Sequence, residues 1–128
     1  MNVELNGSRP RTERPGLELL EITNAIVRIH KQLLGRGPTR VRAEYAGPDT
    51  LVATIEDSLT VAERTMMALG EHHSVREMRR LLERASDPAL VETVERISGR
   101  RVRAFVSGTD PHHDVSSEVF YLEPVPSA

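Results

Sequence analysis

The chain has 128 residues, a net charge of -2 from 17 basic and 19 acidic side chains, no cysteine and 3% aromatic residues. That length suits one domain whose core closes without disulfides or thiolate metal sites. The balanced charge and the scarcity of stacking rings argue against a nucleic-acid partner. No apolar run reaches the ~20 residues that cross a bilayer, so neither a leader nor direct membrane insertion is expected, and a reducing cytoplasm is the expected setting.

Residues 1–16 lack periodicity and carry Gly7, Pro10 and Pro15, which predicts a flexible N-terminal arm ahead of a single domain over 17–124 and a short tail over 125–128. From Leu17 to Leu34 the apolar residues Leu19, Ile22, Ile26, Ile29 and Leu33 recur at steps of three and four, the stripe of an amphipathic helix. Gly35 is a natural stop, Arg36 can reach the last carbonyls, and Pro38 turns the chain toward a strand. Val41, Ala43 and Tyr45 then alternate with Arg40, Arg42 and Glu44; after Gly47-Pro48-Asp49, Leu51, Ala53 and Ile55 continue the alternation. This predicts a hairpin over 39–57.

Thr60 and Glu63 have the spacing of a capping box for a short helix ending near Leu69, and Ser74 with Glu77 repeats it for a second, carrying Val75, Met78, Leu81 and Leu82. Ser86-Asp87-Pro88 predicts a kink or break before Leu90, Val91, Val94 and Ile97, and Gly99 a stop. Val102, Ala104 and Val106 suggest a third strand, and Val119 to Leu122 a fourth beyond the SGTDPHHD loop. The expected fold is an α+β two-layer sandwich of order α-β-β-α-α-β-β, a four-stranded antiparallel sheet with the helices on one face. Its other face would carry Arg40, Arg42, Arg101 and Arg103 beside Val52, Phe105 and Phe120, a mixture that a second subunit can cover, so a homodimer is expected.

Chemistry-bearing patterns are sparse. His112 and Asp114, with His113 and Asp110, are weak metal candidates, since neighbours on an extended segment point opposite ways, and a polar loop is preferred. His72-His73 reads as a polar connection between helices, His30 as a satisfied, partly buried histidine and Met66-Met67 as core filler. Glu56-Asp57 suits helix capping better than acid-base work. No nucleophile has an evident base and no phosphate-cradling loop is present, so no catalytic residue is assigned, no cofactor is expected and an enzyme is the less favoured reading. Arg36, Arg40, Arg42, Arg101 and Arg103 are the candidates for holding an anion or a partner, provided that the first and third strands are neighbours. Cross-strand ion pairs with Glu44, Glu56, Glu118 or Glu123 compete for the same arginines.

Four segments occur together in order: the GRGPT corner at 35–39; Glu56, Asp57, Leu59, Thr60 and Glu63; the run from Gly99 to Phe105; and the EVF-LEP ending. With them the chain from about Leu17 to Pro124 resembles the MpsC-like family, small bacterial domains named for a sodium-translocating, membrane-potential-generating system. The resemblance implies a soluble accessory or regulatory subunit, cytoplasmic, docking on membrane-system proteins that handle ions or inorganic carbon. It supplies no catalytic residues. The alternative is a small anion-binding or enzymatic domain using the arginine face.

Overall fold

The computed structural model describes residues 14–125. Its elements are α1 (Arg14–Leu34), β1 (Arg40–Tyr45), β2 (Thr50–Glu56), α2 (Val61–Ala68), α3 (His72–Ser98), β3 (Val102–Asp110) and β4 (Val115–Leu122). This is the expected α+β order, with one antiparallel four-stranded sheet. Residues 1–13 and 126–128, most of the expected arm and tail, lie outside the described residues; α1 starts at Arg14, three residues before the expected Leu17, with Pro15 in its first turn, where no amide hydrogen is needed.

The sheet order is β1-β2-β4-β3, so the two hairpins join through β2 and β4 at the centre. Leu51, Ala53 and Ile55 of β2 and Phe120 and Leu122 of β4 are buried against Ile22 and Ile26 of α1 and Leu90 and Val94 of α3. This apolar seam is the main source of stability, at about 25 cal/mol per Å² of apolar surface removed from water. Phe105 packs on Phe120 with ring centroids 4.7 Å apart, and both belong to the core side rather than the outer face where the alternation placed them. For Phe105 the reason is a bulge: the β3–β4 register shifts between Val102 and Ala104, which reverses the phase of β3 and turns Phe105 inward and Val106 outward. Phe120 instead follows the regular alternation of β4, inward with Glu118 and Leu122.

Three helix expectations are corrected. The capping box forms at Thr60 and Glu63, but no second box forms at Ser74: α3 begins at His72, Glu71 holds the N-cap position without a side-chain cap bond, and the Ser74 hydroxyl donates to Glu71. His72 and His73 therefore occupy the first turn of α3 rather than a connection. Nor does Pro88 break the helix, which runs unbroken to Ser98 and ends on Gly99 at φ 73°. Both Pro88 and Arg84, whose carbonyl loses its bond, are exposed, while buried Val75, Leu90 and Val94 fasten the helix on either side. That packing offsets the ~3 kcal/mol that an internal proline costs. Met78 and Leu81, expected on the apolar stripe, are exposed, and Arg79 takes the inward position.

The Thr60 cap carries a modest prediction. Thr60→Ala removes the acceptor for the Glu63 amide at 3.1 Å and should lower stability by about 1 kcal/mol, read as a lower urea midpoint with an unchanged slope.

Candidate functional site

The GRGPT corner and the segment after β2, 18 to 23 residues apart in sequence, meet at one end of the sheet. Arg36 does not turn back onto α1 as expected; it donates to the Asp57 carbonyl at 3.0 Å and the Leu59 carbonyl at 2.8 Å. The Thr39 hydroxyl donates to one Asp57 carboxylate oxygen, and Arg64 donates to the other at 2.5 Å. Asp114, after the β3–β4 turn, accepts the amides of Ser58 at 2.9 Å and Leu59 at 3.2 Å, and its carbonyl accepts the Asp57 amide.

Asp57 and Asp114 both have positive φ, 59° and 53°, the left-handed region that aspartate enters more readily than most residues. Asp57 is thus a junction for two arginines and a threonine and not the helix cap expected of it; Thr60 has that role. The Thr39 hydroxyl first, and the Arg36 and Arg64 charges after it, hold the Asp57 carboxyl below its ordinary range.

Beneath this surface lies an ion pair that sequence reasoning missed. Arg79 of α3 is 2% exposed and grips Glu63 through Nε at 2.7 Å and a terminal nitrogen at 3.0 Å, while also donating to the Ser58 carbonyl at 2.7 Å. Burial alone would raise the Glu63 carboxyl, but the bonds from Arg79 and the Thr60 amide hold it low. The pair ties α2 and the β2–α2 connection to α3.

The five arginines nominated from sequence do not gather in one place. β1 and β3 are opposite edges of the sheet, so the neighbour condition is not met. Arg36 belongs to the Asp57 junction; Arg40 donates to Glu56 at 2.9 Å, the one nominated cross-strand ion pair that forms with these arginines. Arg42 is exposed on the β1 edge. Arg103 lies over the Tyr121 ring at 5.5 Å on the β3 edge, and Arg101 is exposed just before it.

The histidine loop folds on itself. The Asp110 carboxylate accepts the amides of His112 and His113 and faces the His113 ring at 3.0 Å. His112 stacks near His72, ring centroids 4.9 Å apart, and Asp114 is engaged by the Ser58 and Leu59 amides. Among the described residues no three His, Asp or Glu side chains are placed to hold a metal ion.

A second buried group centres on Glu118, read from sequence as a surface partner for arginine and as the first residue of the EVF-LEP ending. It points inward from β4, 3% exposed, with Oε2 3.7 Å from His30 Nε2 and Oε1 without a hydrogen-bond partner among the described residues. His30 is buried at 4% and its Nδ1 lies 3.0 Å from the Ile26 carbonyl, which assigns the ring hydrogen to Nδ1 and leaves Nε2 as an acceptor facing Glu118. Burial, then the nearby Glu83 and Asp87 carboxyls, push Glu118 up to about 8, so it is protonated and neutral at pH 7. Burial lowers His30, with the Arg79 charge acting in the same direction. Glu83 and Asp87 of α3 are raised chiefly by burial; Glu83 accepts the Thr109 hydroxyl at 2.8 Å.

These arrangements give one exposed, charge-dense end of the sheet, braced by a buried ion pair, and, beneath the helices, a group of raised carboxyls around the neutral Glu118. Of the residues in the family segments, Arg36, Thr39, Asp57, Thr60 and Glu63 fall at the first, and Glu118, from the EVF-LEP ending, at the second. No curated protein and no solved structure matches the chain. The family model described as "Na+-translocating membrane potential-generating system (MpsC)" matches residues 19–124, most of the chain and nearly all of the sheet and helices just described, and the protein belongs to that MpsC family.

Proposed function

We propose that the protein is a cytoplasmic accessory or regulatory subunit of a membrane system that handles ions or inorganic carbon, and that it acts by docking on a protein of that system. Family membership supplies the membrane-system context. No described helix is long and apolar enough to cross a membrane, so the described domain would reach the system by contact. The observation that carries the reading is the convergence of Arg36, Thr39, Asp57 and Thr60, together with Arg64, on one end of the sheet. Arg64 and Arg40 are half or more exposed there and present guanidinium groups to a partner carboxylate. In this reading the working unit is a homodimer.

The test is co-sedimentation with native membranes, membranes stripped of accessible protein by protease, and protein-free lipid vesicles. Binding to native membranes alone, reduced at least tenfold by Arg40→Glu with Arg64→Glu, supports docking on a protein. Equal binding to bare lipid, or binding indifferent to the two charge reversals, overturns it. The alternative anion-binding reading has its contiguous cations at Arg40 and Arg42, because the sheet order takes Arg101 and Arg103 to the far edge. Its signature is thermal stabilisation by bicarbonate or phosphate that Arg40→Glu with Arg42→Glu removes.

A further inference from the structure

The helices cover one face of the sheet; the other carries a pattern that matches itself. Level across the outer face stand Arg42, Thr54, Ser117 and Gly108, three small residues beside a cation. The next outward row is Glu44, Val52, Val119 and Val106, three valines beside an anion. Val106 is 57% exposed despite its apolar side chain. Arg42 and Glu44, two residues apart on the same edge, have no ion-pair partner among the described residues.

We infer that this face is the interface of a homodimer, closed by a two-fold axis that lies between these two rows and runs across the strands. The inference rests on the homodimer element of the proposed function and is independent of docking on a membrane protein. Such an axis lays each row of one copy on the other row of the second copy. Arg42 then meets Glu44 of the second copy, twice by symmetry, and the valines settle over Thr54, Ser117 and Gly108. A depression lined by Val106, Gly108, Asp110, Val115, Ser117 and Val119 receives the second copy's Val106 and Val119.

The β3 edge repeats the charge logic. Asp110 stands at one end of that strand and Arg103 near the other, so the operation that reverses strand direction brings opposite charges toward each other there as well. A pattern that places unlike charges together under its own two-fold is what an isologous interface requires. Two twisted sheets stacked face to face with near-aligned strands are a standard packing, about 10 Å apart, with side chains of the inner faces interleaved. The small row against the valine row supplies that interleaving.

Sedimentation equilibrium on the full chain tests the inference. The expected result is a two-copy species. Val106→Lys should convert it to monomer, and Arg42→Glu should weaken association about 100-fold by setting like charges together. Arg42→Glu combined with Glu44→Arg should restore association to within about tenfold of the parent, since the pairs reform with reversed polarity. Thermal melts of the variants, all at exposed positions, establish that each is folded. A monomer at every concentration overturns both the interface and the homodimer. A dimer untouched by Val106→Lys leaves the homodimer standing and removes this face, and a charge swap that fails to restore binding removes this axis.

Discussion

Glu118→Gln is expected to make the protein more stable than its parent at pH 9 and to leave it nearly unchanged at pH 4. In the folded chain Glu118 keeps its proton up to about pH 8, whereas the unfolded chain releases it near 4.5. Between those values the native state binds more protons, so its stability falls as pH rises and levels off above the folded pKa. A shift of that size corresponds to roughly 5 kcal/mol across the interval. Glutamine removes the titration while keeping shape and neutrality.

The groups facing Glu118 bear on the sign. Glu83 and Asp87 from α3 are raised carboxyls and add to the same slope. His30 from α1 is lowered, so its contribution is complete above 6.5 and is lost as pH falls below it, giving the opposite slope on the acid side. Urea midpoints at several pH values check the prediction: the parent should lose stability from neutral to alkaline pH and the variant should lose much less. Parallel curves would mean that an ionised Glu118 is accommodated by a protonated His30.

Removing Arg79 alone should cost about 3–5 kcal/mol, because it strands a buried carboxylate. Arg79→Met leaves Glu63, 4% exposed, with its Thr60 bonds but without the guanidinium that neutralises it. Taking both charges out with Arg79→Met and Glu63→Leu should cost far less than the sum of the single changes. The residual cost reflects the lost capping bond, about 1 kcal/mol, and the buried Ser58 carbonyl and hydroxyl that lose Arg79 as donor, about 1–3 kcal/mol. A double-mutant cycle in urea measures the difference, and simple additivity would show that the two side chains act separately.

The periodicities of α1 and of β1 and β2 were legible because each element buries one regular face: Ile22 and Ile26, then Leu51, Ala53 and Ile55. Thr60 and Glu63 were legible because a capping box is local. Three features were not. The bulge near Arg103 shifts phase by one residue without any glycine or proline to announce it. Pro88 signals a break locally, but tertiary packing of Leu90 and Val94 overrides it. Arg79 and Glu118 occupy inward positions that pattern reading reserves for apolar residues, and only their spacing, Arg79 four after Val75 and Glu118 two before Phe120, hinted at it.

The candidate site was half legible. Arg36, Thr39, Asp57 and Thr60 were picked out as family segments, and what could not be read was that separate corners of the chain meet at Asp57. Strand order decides this, and it is non-local: alternation specifies which face a residue takes, not which strand lies beside it. The same gap explains why five arginines could be nominated together although β1 and β3 sit at opposite edges.

The placement of β4 between β2 and β3 also governs how the chain comes into being on the ribosome. The strand translated last in the sheet fills its middle, so the first hairpin and α1 wait, with apolar surface open, until more than fifty further residues have emerged. Long-range closure of that kind slows folding and exposes a nascent edge. A newborn copy therefore depends on rapid capture of its own late strand, or on a chaperone, before a neighbour supplies one.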